Sequence, residues 1–148
     1  MLTRTLLCLC VALAACGGKS KPADPPKTDT RSLYDRLGGL PAITAVVEDF
    51  VARTGADTRI NIFFTNTDLP RLKKMMVDDI CERTGGPCKY TGKTMRESHA
   101  NMKLKPEDFE HFMEDLEQTL DKFQVPAREK GEVLAAFRAQ KQDVMPTP

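Results

Sequence analysis

The chain has 148 residues, 41% of them hydrophobic, with a net charge of +1. That length supports one small domain and leaves no room for a second core. The near-zero charge provides no strong field to draw nucleic acid or an acidic surface, so nucleic acid is not an expected partner. Taken from the N-terminus, the chain starts with Arg4 and an apolar run from Leu6 to Ala15, too short to span a bilayer as a mature helix. The run ends in Leu13-Ala14-Ala15-Cys16, small residues before a cysteine. Residues 1–15 therefore read as a secretory signal peptide, and Cys16 as the lipidation site of a bacterial lipoprotein. An ordinary signal cleaved nearby, with Cys16 incidental, is the alternative. Multiple acyl chains on Cys16 would anchor the protein stably to a membrane of the cell envelope, facing the periplasm or the cell surface. Residues 16–31, rich in Pro, Lys and Asp and without a large apolar side chain, read as the lipidated cysteine and a disordered spacer.

The globular part is expected over 32–143, followed by a frayed tail at 144–148. Its patterning predicts four or five amphipathic helices and no strand. Ser32 can cap a short first helix that stops at Gly38-Gly39. Pro41 suits the first turn of the next helix, where Ile43, Val46, Val47, Phe50 and Val51 form one apolar stripe. Ile60 to Phe64 reads as irregular or a single turn. Asp68 or Thr67 can cap a third helix, with Leu69, Leu72, Met76 and Ile80 along one side. Arg71, Lys73, Lys74, Asp78 and Asp79 read mostly as its solvated face.

Two glycines and a proline (Gly85, Gly86, Pro87) break the chain, and Gly92 breaks it again. Thr94-Met95-Arg96-Glu97 then has the form of a capping box. The short helix it opens carries Met95 and His99 on one face. Pro106 opens a long helix whose buried stripe is Phe109, Phe112, Met113, Leu116, Leu120 and Phe123. His111 falls on the opposite, acidic face, where Glu114, Asp115 and Glu117 read as solvated. A last helix carries Val133, Leu134 and Phe137.

Five cysteines are present. Cys8 and Cys10 leave with the signal peptide. Cys81 and Cys88 can form a disulfide across the Gly-Gly turn in an oxidising compartment, tying the third helix to the loop before His99. Two free thiols are the alternative. No C-x-x-C-H occurs, so covalent c-type haem attachment is not indicated.

A lone helix histidine is a weak signal for a ligand. The surroundings of His99 are more specific. Ser32-Leu33-Tyr34-Asp35-Arg36-Leu37-Gly38-Gly39, Phe63-Phe64, Gly85-Gly86-Pro87, Tyr90-Thr91-Gly92, Met95 and His99 occur in this order. The order resembles the group 1 truncated haemoglobins from about Ser32 to Phe137. The resemblance implies an all-α fold, a two-over-two helical sandwich around non-covalent haem b, with His99 as the proximal iron ligand. It also implies Phe50, Val51, Phe64, Leu72, Met75, Met76, Tyr90, Met95, Leu104 and Phe112 as haem-contacting residues.

Group 1 members commonly place a tyrosine on the second helix and a glutamine on the third to donate hydrogen bonds to bound oxygen. These positions are Val51 and Met76 here, and the position often held by a lysine near a propionate is Met75. The resemblance therefore implies a haem protein with an apolar distal pocket, binding O2, NO or CO and not a conventional enzyme, and the N-terminal signal with Cys16 adds the expected envelope location. Met76 as a sixth iron ligand in a His/Met electron-transfer protein, its redox partner unknown, is one alternative. A haem-free envelope interaction lipoprotein is another. NO dioxygenation or peroxidase-like turnover is the enzymatic alternative, although the envelope lacks the cytoplasmic reductase that NO dioxygenation needs.

Overall fold

A computed structural model describes residues 29–145. The expected signal peptide, the Cys16 lipidation site, most of the spacer and the last three residues lie outside the described residues. Seven helices follow in order: α1 (Leu33–Arg36), α2 (Gly39–Ala56), α3 (Leu69–Arg83), α4 (Met95–His99), α5 (Pro106–Lys122), α6 (Ala127–Arg138) and α7 (Lys141–Val144). A 3-10 turn, Asn61–Phe64, stands between α2 and α3. No strand occurs among the described residues.

The helix boundaries follow local chemistry. Ser32 Oγ accepts from the Asp35 N–H to start α1, and the Asp68 carboxylate accepts from the Arg71 N–H to start α3. Between α1 and α2 the chain reverses through Gly38 and Gly39, at φ 96° and 73°. Side chains rarely adopt that left-handed region, so the Gly-Gly pair sets this turn. It leaves the Tyr34 hydroxyl accepting from the Leu40 N–H at 3.0 Å.

Helix α2 is the centre of the packing: it contacts α1, the 3-10 turn, α3 and α5, while α5 in turn meets α6. Its apolar stripe serves two clusters. Phe50 joins Phe109, Met113, Leu116, Leu120 and Val133. Ile43, Val47 and Val51 join Ile80 and Cys81 from α3. Met76 and Phe137 pack against both clusters. The Arg36 guanidinium bonds Glu129 and Glu132, tying α1 to α6.

Cys81, fully buried at the end of α3, is joined to Cys88 by a disulfide. The loop between them returns so tightly that a Cβ on Gly86 would lie 2.5 Å from Tyr34 Cδ2 and 2.7 Å from Cys81 Sγ. Gly86→Ala is therefore expected to destabilise the fold by about 2–3 kcal/mol. Equilibrium urea unfolding of the two chains checks this, and an unchanged midpoint contradicts the tight return.

Several sequence expectations need correction. Phe123, expected in the buried stripe of α5, is 39% exposed and lies just past the helix end at Lys122. Asp79 is not on a solvated face: it is 7% exposed and accepts from Arg83 Nε at 2.7 Å. It lies on the stripe of Leu72, Met76 and Ile80, which turns inward. Asp115 is also buried, at 4% exposed, because it neighbours the fully buried Thr119 on the side of α5 that faces α2. Burial, with Asp57 nearby, pushes its carboxyl upward from the ordinary range. Glu114 and Glu117 do face solvent, paired with Arg59 and Lys130. Finally, the packed chain continues beyond 143. Helix α7 docks on α4, and Val144 and Met145 pack against the core.

Candidate functional site

The helices border a mainly apolar cavity of about 520 Å³, within the roughly 300–1,000 Å³ range of small-molecule and cofactor sites. Helix α3 supplies Leu72, Met75, Met76, Asp79 and Ile80. The 3-10 turn supplies Phe63 and Phe64, α5 supplies Phe109 and Phe112, and α6 supplies Phe137. Met95 and His99 come from α4, Met102 and Leu104 from the turn that follows it.

Local interactions fix the orientation of His99. Thr94 Oγ1 accepts from the Glu97 N–H at 3.2 Å, and the Glu97 carboxylate accepts from the Thr94 N–H at 2.9 Å. This closes the capping box and starts α4. The Thr94 hydroxyl and N–H together hold the Glu97 carboxyl below the usual range. One turn on, His99 Nδ1 lies 2.7 Å from the Met95 carbonyl oxygen. A carbonyl can only accept, so Nδ1 carries the proton and Nε2 of the neutral ring keeps its lone pair. No hydrogen bond engages Nε2 among the described residues. The ring is therefore set up as a metal ligand, with its tautomer fixed by the backbone.

Of the residues expected at this site, His99, Phe64, Leu72, Met75, Met76, Tyr90, Met95, Leu104 and Phe112 all line the cavity. Phe50 and Val51 do not. They are 1% and 3% exposed and belong to the core behind the cavity wall. Phe50 packs edge-on against Phe112, ring centroids 4.8 Å apart, so Phe112 stands between it and the space. Val51 is too short to pass its neighbours and packs with Ile80 and Cys81. His111 is outside the lining, with Nδ1 3.5 Å from the Glu114 carboxylate.

The sequence reading missed other lining residues. Phe109 and Phe137 extend the apolar wall, and Gln140 closes it beside Val144. The helical spacing of Phe109 and Phe137 announced burial but not a cavity, and Gln140 and Val144 carried no such signal. Tyr90 donates its hydroxyl to the Lys93 carbonyl at 2.6 Å. Burial, with the Asp79 carboxylate beside it, pushes its phenol up. At the mouth stand Arg71 and Lys93, both exposed and without an ion-pair partner among the described residues.

This donor set suits a flat apolar metal macrocycle with anionic edge groups. The imidazole would take the metal, the Phe, Leu and Met side chains would cover the ring, and Arg71 and Lys93 would meet the two propionates of a haem. Among the described residues no cluster of three His, Cys, Asp or Glu side chains could hold a bare metal ion.

Comparison with known proteins agrees. Residues 32–145 match the bacterial-like globin family model. The chain is 36% identical over 111 residues to the group 1 truncated haemoglobin GlbN of Mycolicibacterium paratuberculosis, covering 75% of this chain and 82% of that protein. The 2/2 haemoglobin of Synechococcus sp. PCC 7002, solved in the cyanomet state with covalently attached haem, superimposes with a TM-score of 0.75 at 32% identity, over 79% of this chain and all of that one. The truncated haemoglobin of Tetrahymena pyriformis, solved in its Fe(III) form, gives 0.71 at 33% identity, over 78% and 97%. The all-helical sandwich thus has known counterparts, and the cofactor is haem. The chain belongs to the bacterial-like globin family and is a truncated haemoglobin.

Proposed function

We propose that this chain reversibly binds a diatomic gas, O2, NO or CO, at the iron of a non-covalent haem b held by His99. The observation that carries the reading is His99 Nδ1 fixed on the Met95 carbonyl, with Nε2 left as a ligand within a mainly apolar cavity. When bound, haem supplies a ferrous iron that takes the gas. The protein holds the ring, excludes water through Phe64, Leu72, Met75 and Met76, and fixes the proximal imidazole. The helix α3 residues Leu72, Met75 and Met76 offer no hydrogen-bond donor to a polar ligand. Gas binding, not catalytic turnover, is the role this wall suits, with fast release of O2.

The proposed location is the bacterial envelope, through acyl chains on Cys16 after removal of residues 1–15. The small-residue run before Cys16 supports it, as does the Cys81–Cys88 disulfide, which belongs in an oxidising compartment. A second reading has Met76 as the sixth ligand of an electron-transfer haem, favoured by its thioether lining the same cavity as His99.

An absorption spectrum of the haem-loaded chain separates the two. The expected ferrous form is five-coordinate and converts readily with CO. A low-spin six-coordinate ferrous form that resists CO supports Met76 ligation instead. A chain that takes up no haem overturns both readings and leaves an envelope interaction module.

A further inference from the structure

One side chain in the cavity wall combines charge with burial. Asp79 is a buried carboxylate in the wall of an otherwise mainly apolar space. The other acidic residues of the lining are engaged at helix starts: Asp68 on the Arg71 N–H, Glu97 in the α4 capping box, and Asp108 on the Lys105 N–H. Asp68 and Glu97 are also exposed, and Asp108 is half-buried. Asp79 has an ion-pair partner, Arg83, one turn further along α3. The two ends of that pair differ: the Asp79 side chain is 9% exposed and Arg83 44%. Water screens the cation on the outside, while the anion borders the cavity. Arg83 does not line the cavity.

Resting on the haem-binding reading above, we propose that Asp79 is the residue that sets the site's charge preference, for neutral over anionic ligands and for ferric over ferrous iron. A fixed negative charge in a low-dielectric wall acts on charge changes at a nearby centre far more strongly than the same charge in water. Ferric iron carries one more positive charge than ferrous iron, so the carboxylate favours it and lowers the midpoint potential. An incoming anion such as cyanide is repelled. O2 gathers negative charge when bound and is disfavoured in the same sense, whereas CO stays close to neutral and is little affected. The ligand class that fits this wall is a neutral, weakly polar diatomic gas. Arg71 and Lys93 do not cancel the effect, because they stand exposed at the mouth, where solvent screens them.

The test is spectroelectrochemistry and cyanide titration of the haem-loaded full chain as wild type, Asp79→Asn and Asp79→Glu. Asp79→Asn should shift the midpoint potential upward and tighten cyanide binding about tenfold. Asp79→Glu, which keeps the charge, should track the wild type. Unchanged potential and cyanide affinity in Asp79→Asn overturn the proposal, as does an Asp79→Glu shift equal to that of Asp79→Asn. Should Asp79→Asn fail to fold, Asp79→Ser, which is also uncharged, decides: it must raise the potential and tighten cyanide binding, and no change overturns the proposal. A wild-type chain without a Soret band instead overturns the haem-binding reading beneath it.

Discussion

Replacing His99 with alanine should remove the Soret band from the chain after haem is offered, or leave a haem that is lost roughly a hundredfold faster than from the wild type. The argument is one of supply. The chain has two histidines. The other, His111, is outside the cavity beside Glu114. No second imidazole can reach the iron, so the variant has no substitute for Nε2. The apolar wall would still attract a macrocycle, so weak, mobile binding is the residual behaviour. Added imidazole, diffusing into the space the ring vacates, should restore part of the spectrum. The haem-free forms of both chains should show the same helix content by circular dichroism, because α4 is held by the Thr94–Glu97 capping box and not by the imidazole. The variant should still melt lower once haem is present, since it forgoes the stabilisation that a ligand bound to the folded state provides. A normal Soret band in His99→Ala, stable to dilution, would remove His99 as the iron ligand.

How much of this was legible in the sequence depends on whether the signal was local. The starts of α3, α4 and α5 were readable, because Asp68, the Thr94–Glu97 pair and Pro106 act within one turn of themselves. The cavity wall on α3 was readable in part: Leu72, Met76 and Ile80 keep helical spacing. Asp79 falls on the same stripe, but a charged residue beside Asp78 reads as solvated unless its position relative to Leu72 and Met76 is weighed over its chemistry. Depth was not readable at all. Val51 and Phe50 lie on a correct apolar face, yet periodicity cannot say whether a residue borders a cavity or the layer behind it. Phe112 stands in front of Phe50, and Val51 spends its methyl groups on Ile80 and Cys81. Helix α7 was missed for a similar reason. Lys141–Val144 is too short and too polar to show a stripe, and what holds it is docking on α4, including the Arg96–Asp143 ion pair.

Met76→Gln should slow O2 release from the ferrous protein by roughly five- to a hundredfold while changing CO release less than about threefold. Met76 lines the cavity and packs against both core clusters, so its side-chain end is held near the ligand space and a glutamine of similar length can occupy the same path. The amide brings an N–H donor to a wall where Leu72, Met75 and Met76 have none. A buried hydrogen bond to a partly negative ligand contributes roughly 1–3 kcal/mol, and about 1.4 kcal/mol is tenfold in a rate or affinity. O2 collects that energy because it gathers charge on binding, while CO collects little. The difference between the two gases is therefore the readout, and it separates a new hydrogen bond from a merely widened pocket, which would move both. Stopped-flow or flash photolysis measures both release rates. Met76→Leu is the companion, conserving bulk and removing the sulfur. If the iron is five-coordinate, Met76→Leu leaves the ferrous spectrum and both gas rates near wild type. If Met76 is the sixth ligand, Met76→Leu converts a low-spin ferrous spectrum to a five-coordinate one and speeds CO binding, and the electron-transfer reading replaces gas binding. Equal O2 release in Met76→Gln and Met76→Leu would show that this position does not face the bound gas.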